Sequence, residues 1–139
     1  VSFFSKFVNY PVISDDSGLC IKSLNNKPGI YSARLAKKKG SFFNAMKFIL
    51  NKMKNNKDRT ANFFCSLSYK PIKGKIITVE GRIRGKISKK ILGKKGFGFD
   101  PIFIPDTYQI TFGQMSKNKK MRIDHRYIAF KKLKKKVNI

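Results

Sequence analysis

Two stretches of strict alternation dominate the chain. Ala61, Phe63, Cys65, Leu67 and Tyr69 fall on every second position, and so do Ile77, Val79, Gly81, Ile83, Gly85 and Ile87, with Thr78, Glu80, Arg82, Arg84 and Lys86 between them. A period of two marks a strand with one buried face. The short loop Lys70-Pro71-Ile72-Lys73-Gly74 joins the two, which predicts an antiparallel hairpin with strands at 60–69 and 77–87. Gly81 and Gly85 lie on its apolar face and predict a bulge or the close approach of another backbone. Residues 41–54 follow a different rhythm. Their apolar side chains at 42, 46, 49, 50 and 53 line one face of a helix, with Ser41 as N-cap. A closing helix is predicted at 124–137, with Asp124 as N-cap and Ile128, Ala129, Leu133 and Val137 facing inward. Residues 11–14 predict a short strand that ends in the polar turn Asp15-Asp16-Ser17-Gly18. A second short strand is predicted at 19–24, a turn at 25–29 and another strand at 102–104. The fold class is mixed α/β, a central mixed sheet with a long antiparallel hairpin flanked by helices.

Composition narrows the options. The chain of 139 residues has room for one core and predicts a single domain over 1–139. Its apolar runs are too short to span a bilayer, so no membrane partner is expected, and no secretory leader pattern is visible. Two cysteines and one histidine exclude a disulfide framework and make a structural zinc site an unsuitable reading. Lys and Arg number 32 against 7 acids, a net charge of +25, which attracts polyanions. The lysines are spread through every segment, although they are densest at 37–39, 117–122 and 131–136. That spread favours compositional bias with some affinity for phosphates over dedicated nucleic-acid recognition, and no RNA-recognition, zinc-finger or basic-zipper pattern occurs.

With so few acids, their positions carry information. Asp15-Asp16 reads either as an ordinary Asx turn or as a carboxylate that holds Mg²⁺ or orients a water. Gly96-Phe97-Gly98-Phe99-Asp100-Pro101 reads either as a tight turn whose rings plug the core or as a loop whose aromatic stacks on a base while its acid bonds the base edge. Lys120 to Arg126 places Lys, Asp, His and Arg at an expected helix start, where anions are favoured and Arg offers a rigid donor fork. His125 on its own is better explained by structure than by catalysis. Together the three segments suit one task, the binding of a nucleotide.

These same residues resemble the inosine triphosphate pyrophosphatase family, the noncanonical purine (dITP/XTP) nucleoside triphosphate pyrophosphatases. The resemblance runs through Asp15-Asp16-Ser17-Gly18-Leu19, Pro28-Gly29-Ile30-Tyr31-Ser32-Ala33-Arg34, Asn44 with Lys47, Ala61 with Phe63 and Cys65, Glu80-Gly81, and Gly85 with Ile87. It continues through Gly96-Phe97-Gly98-Phe99-Asp100-Pro101-Ile102-Phe103, Thr111-Phe112, Met115, Lys120 and His125-Arg126. It implies hydrolysis of ITP, dITP and XTP to the monophosphate and pyrophosphate, with Mg²⁺ as cofactor, in a cytoplasmic homodimer. Residue by residue it implies Asp16 as general base and metal carboxylate, Asp15 as a supporting acid and Ser17 as a substrate contact. Phe97 would stack on the base, Gly98, Phe99 and Asp100 would complete its loop, and Lys120, His125 and Arg126 would contact the base. Asp124 stands where many members have Ser, and Tyr127 where many have a small residue. The family's opening strand, phosphate-binding segment, metal-binding Glu and Lys-bearing helix have no counterpart before Pro11, and residues 1–10 resemble the tail of that helix. The expected fold is therefore N-terminally truncated relative to the family. The alternative expectation is a catalytically impaired remnant that binds polyanions or nucleic acid without base preference.

Overall fold

A computed structural model describes residues 1–138. The predicted hairpin forms as strands β3 (Thr60–Lys70) and β4 (Ile77–Ile87), paired from Thr60↔Lys86 to Tyr69↔Ile77. Strand β1 (Val12–Ile21) lies on the other side of β3 and pairs with it at all ten of its residues, from Val12↔Lys70 to Ile21↔Ala61. The expected strand, polar turn and second strand are thus one continuous strand. Asp-Asp-Ser-Gly is good turn chemistry locally, but ten residues of ladder pairing override it, and Gly18 serves close packing instead. A Cβ there would collide with the Gly29 carbonyl on the neighbouring strand. Short strands β2 (Lys27–Gly29) and β5 (Phe103–Pro105) complete the order β2-β1-β3-β4-β5. Every pairing among the described residues is antiparallel, so the parallel partners of the expected mixed sheet are not among them. β2 pairs β1 only at Leu19, Cys20 and Ile21, so among the described residues β1 from Val12 to Gly18 has a single neighbour, β3.

Helices cover one face of the sheet. Helix α1 (Ser32–Lys39) was not expected, whereas α2 (Phe42–Lys52) forms where its periodicity predicts, its first turn closed by the Asn44 N–H donating to Ser41 Oγ at 3.1 Å. The odd-numbered positions of β1, β3 and β4 point at these helices. Leu19, Ile21, Ala61, Phe63 and Ile87 join Ala36, Ala45, Ile49, Phe103 and Phe112 in the main core. A short helix α3 (Lys117–Met121) precedes the closing helix α4 (His125–Val137), which sits over Cys65, Leu67 and Val79 through Ala129 and Leu133. α4 approaches β4 closely because Gly81 has no side chain: a Cβ would meet the His125 carbonyl and the Ala129 amide. The even-numbered face carries Asp16, Ser66, Ser68, Thr78, Glu80 and Arg82, polar side chains suited to a face open to water. The chain start, expected as a helix tail, holds one 3₁₀ turn at Phe4–Lys6, with Phe3, Phe4 and Phe7 exposed.

Candidate active site

The glycine-rich loop divides its two rings between the two alternatives. Phe99 plugs the core at 3% exposure, edge-on to Phe42 with centroids 5.2 Å apart. It therefore supports the loop from below and presents no surface to a ligand. Phe97 remains 60% exposed. Gly96 and Gly98, at φ +72 and +63, provide the left-handed turns that send the two rings opposite ways. Asp100 holds the loop in place: its Oδ2 accepts the Phe97 N–H at 2.9 Å and the Lys120 ammonium at 2.6 Å. This ion pair is nearly sealed from solvent, at 7% and 3% side-chain exposure. Burial raises the Asp100 pKa, against the opposing pull of Lys120.

Lys120 belongs to α3 and Arg126 to the first turn of α4, so the two cations sit on separate helices, not at one helix start as expected. They nevertheless meet at one ring. Lys120 Nζ lies 4.4 Å and the Arg126 guanidinium carbon 4.9 Å from the Phe97 centroid. Around them is a cavity of about 830 Å³, whose wall includes Met115, Met121, Asp124, Tyr127 and Phe130. A cavity of this size with an exposed ring and two donors suits a purine.

Arg126 is fixed from below. Its Nε donates to Asp15 Oδ2 at 2.7 Å, and Ser17 Oγ donates to the other Asp15 oxygen at 2.5 Å. Burial acts to raise the Asp15 pKa, but these two hydrogen bonds and the guanidinium charge outweigh it, and the carboxyl titrates below its ordinary value. Ser17 thus bonds its neighbour on the strand. Cys65 Sγ lies 3.6 Å from the same carboxylate. Burial, with the carboxylate beside it, pushes this thiol up to about 11.

His125 does not line the cavity. It is 3% exposed, stacked on Phe63 at 5.0 Å, with its Nε2 3.4 Å from Arg126 Nη1. A guanidinium only donates, so Nε2 accepts and the proton sits on Nδ1, which has no partner. His125 is therefore a buried neighbour of Arg126 and not part of the cavity wall. Burial, helped by the nearby charges of Arg126 and Lys120, lowers its pKa to about 3. The unfolded chain binds a proton at His125 near the ordinary value of 6.5, while the folded chain resists until about 3. Its contribution is fully present above 6.5 and lost as pH falls through that window. In urea unfolding, the stability of the protein relative to His125→Phe is expected to fall by about 1.4 kcal/mol per pH unit across the window. A flat difference would mean that the folded imidazole charges freely.

Asp16 stands apart. Strand alternation sends it to the face opposite Asp15, Ser17 and Arg126. It is exposed and enters no ion pair among the described residues. The expected meeting of Asp16 with Phe97, Lys120 and Arg126 on one surface does not occur: Asp15 is the acid that joins them. The register places Asp16 in a row with Ser66 and Glu80 across β1, β3 and β4. Sequence reasoning also missed Met121 and Phe130 as cavity wall. The same alternation, counted from Leu19 and Ile21, would have assigned Asp15 and Asp16 to their separate faces.

A profile described as the Ham1 family matches residues 2–136. The chain is 38% identical over 130 residues to a dITP/XTP pyrophosphatase of Desulfotalea psychrophila, covering 94% of this chain and 58% of that protein. It is 41% identical over 128 residues to a dITP/XTP pyrophosphatase of Clostridium perfringens, covering 91% and 63%. The chain thus spans less than two thirds of the length of these relatives. The Ham1 protein of Staphylococcus aureus superposes with a TM-score of 0.89 at 38% identity, over 96% of this chain and 69% of that one. The chain belongs to the Ham1 family.

Proposed function

We propose that this chain carries the base-binding half, and part of the catalytic machinery, of a nucleoside triphosphate pyrophosphatase. It would cleave deaminated purine nucleotides (ITP, dITP, XTP) to the monophosphate and pyrophosphate and so cleanse the nucleotide pool. The observation that carries the reading is the exposed Phe97 ring at the wall of one cavity, with the Lys120 ammonium 4.4 Å and the Arg126 guanidinium 4.9 Å from its centroid. A base stacks on the ring, and the two cations donate to its 6-oxo group. Adenine, with an amino group at that position, would leave a buried donor facing a donor, a mismatch that discriminates strongly. The names of the relatives in Desulfotalea psychrophila and Clostridium perfringens support the same substrate class.

The phosphates belong on the other side of β1. Between Val12 and Gly18 this strand has one neighbour among the described residues, so a ligand seated against Phe97 passes over its free edge to reach Asp16. There a free carboxylate takes the proton of the water that attacks the α-phosphorus. Among the described residues no three His, Cys, Asp or Glu side chains cage a metal. Mg²⁺ needs no such cage, since it binds through one or two carboxylates together with substrate phosphates, and Asp16 fits that role as a free hard-oxygen ligand. When bound, the ion would neutralise the charge that develops on pyrophosphate. A homodimer and a cytoplasmic location go with the same proposal on the family resemblance. The alternative of a polyanion-binding remnant has no support from the relatives.

The test is release of pyrophosphate by the purified protein in the presence of Mg²⁺, with ITP expected well ahead of ATP. Phe97→Ala should raise KM for ITP about tenfold through lost stacking, with a smaller change in kcat. Equal rates on ITP and ATP, or an unaltered KM in the variant, would remove the base site from the Phe97 loop.

A further inference from the structure

A second cavity, of about 750 Å³, lies where β2, α1 and α2 meet, and it shares no lining residue with the one around Phe97. Leu24, Leu35, Phe48 and Ile49 form its floor, apolar side chains that continue the main core. Four exposed cations, Lys27, Arg34, Lys38 and Lys52, stand at its rim. No acid lines it, and none of the four cations enters an ion pair among the described residues. The cavity around Phe97 is built the other way, since Lys120 is paired with Asp100 and Arg126 with Asp15. Here positive charge rests on aromatic faces instead. The Arg34 guanidinium carbon lies 5.3 Å from the Tyr31 centroid, and Lys52 Nζ lies 5.0 Å from that of Phe48. A ring attracts a cation without neutralising it, so the charge is left for a ligand to meet.

The volume is that of a small-molecule site, and the division into apolar floor and cationic rim specifies the ligand. The uncharged polar side chains of the wall, Ser23, Asn25 and Asn26, are exposed and belong to the rim. A ribose or a base on the floor would lose water from its polar atoms with no side-chain partner in return. An alkyl chain has no such cost and is stabilised by burial. Its head group must supply the negative charge that the wall lacks. We propose that this cavity binds a single-chain alkyl anion of the fatty-acid type, with its chain on Leu24, Leu35, Phe48 and Ile49 and its carboxylate among the rim cations. The site is independent of the reading of the cavity around Phe97.

Titration calorimetry of the full chain with octanoate, decanoate and dodecanoate, each below its micelle-forming concentration, tests both halves of the site. One molecule is expected to bind, and each added CH₂ should tighten Kd by up to ~4-fold while the floor has room. Octanol, with the same chain and no charge, should bind ~10-fold more weakly than octanoate. Arg34→Glu combined with Lys52→Glu changes only exposed side chains, so the fold is kept, and it should weaken dodecanoate at least ~10-fold. Lys134→Glu combined with Lys135→Glu changes the net charge equally at a distant helix and should leave Kd unaltered. Equal weakening by the two pairs would reduce the binding to general attraction by a cationic protein and overturn the site. So would affinity that ignores chain length, or no binding of dodecanoate. Displacement of dodecanoate by inosine monophosphate would move it to the cavity around Phe97. A changed sedimentation coefficient of the ligand-free Arg34→Glu, Lys52→Glu protein would make this face an interface between copies. Either result overturns the proposal.

Discussion

Asp16→Asn is expected to lower pyrophosphate release from ITP by roughly 10²- to 10⁴-fold, the range that a positioned general base supplies, while the unfolding transition stays where it was. Both halves of the expectation follow from the strand. Asp16 is exposed and free of ion pairs, so its charge is available to a water or a cation and its loss costs the fold little. Asp15, one residue earlier, has the opposite character: its carboxylate is engaged by Arg126 and Ser17. Asp15→Asn should therefore act on substrate affinity, raising KM as Arg126 loses its anchor, with a smaller effect on kcat. The pair separates the two faces of one strand in a single kinetic experiment. If Asp16→Asn turned over normally and Asp15→Asn were the dead variant, the base would lie on the helix-covered face and the path over the edge of β1 would be wrong.

That contrast also shows where the sequence was legible. The hairpin could be read because eleven-residue alternation has no competing explanation, and Gly81 and Gly85 announced the close approaches that α4 and β5 make. α2 could be read because its cap and its apolar spacing agree. α1 could not: its eight residues include Arg34 and Lys37 to Lys39, and only Ser32 and Ala36 are buried, so it has little periodicity to show. β1 was broken in two because Asp-Asp-Ser-Gly favours a turn by local propensity, and its pairing to β3 spans some fifty residues of sequence that no local window sees. At the site, residue types identified Phe97, Asp100, Lys120 and Arg126 as one group, since an aromatic, an acid and two cations suit a single ligand. They did not reveal which side of the sheet each acid faces. Nor did they reveal that His125 and Phe99 are buried supports, because burial depends on the partners that the fold supplies: Phe63 for one and Phe42 for the other.

The second large effect concerns the pair that joins the base loop to α3. Lys120→Met should lower the stability of the protein by about 3–5 kcal/mol at neutral pH, the usual result of leaving one partner of a buried ion pair alone. Asp100 is 2% exposed, and with Lys120 removed its carboxylate keeps the Phe97 N–H, too little to carry a buried charge. Burial already raises its pKa above the ordinary carboxylate value, and loss of the ammonium removes the main force acting the other way. A carboxyl whose folded pKa lies above its unfolded one contributes stability below the unfolded value and loses it as pH rises through the folded value. The deficit of Lys120→Met should accordingly be small in acid and grow toward neutrality, and urea titrations at several pH values measure it directly. Asp100→Asn combined with Lys120→Met should recover much of the loss, since a neutral amide can still accept the Phe97 N–H. A deficit that is the same at every pH and is not relieved in the double variant would mean that Lys120 contributes packing against Phe97 and Phe112 rather than charge, its Nζ lying 4.4 and 5.5 Å from those two rings. The base loop would then be held by its aromatic contacts and the Phe97 N–H bond to Asp100, and the ammonium would be free to serve the ligand without cost to the fold.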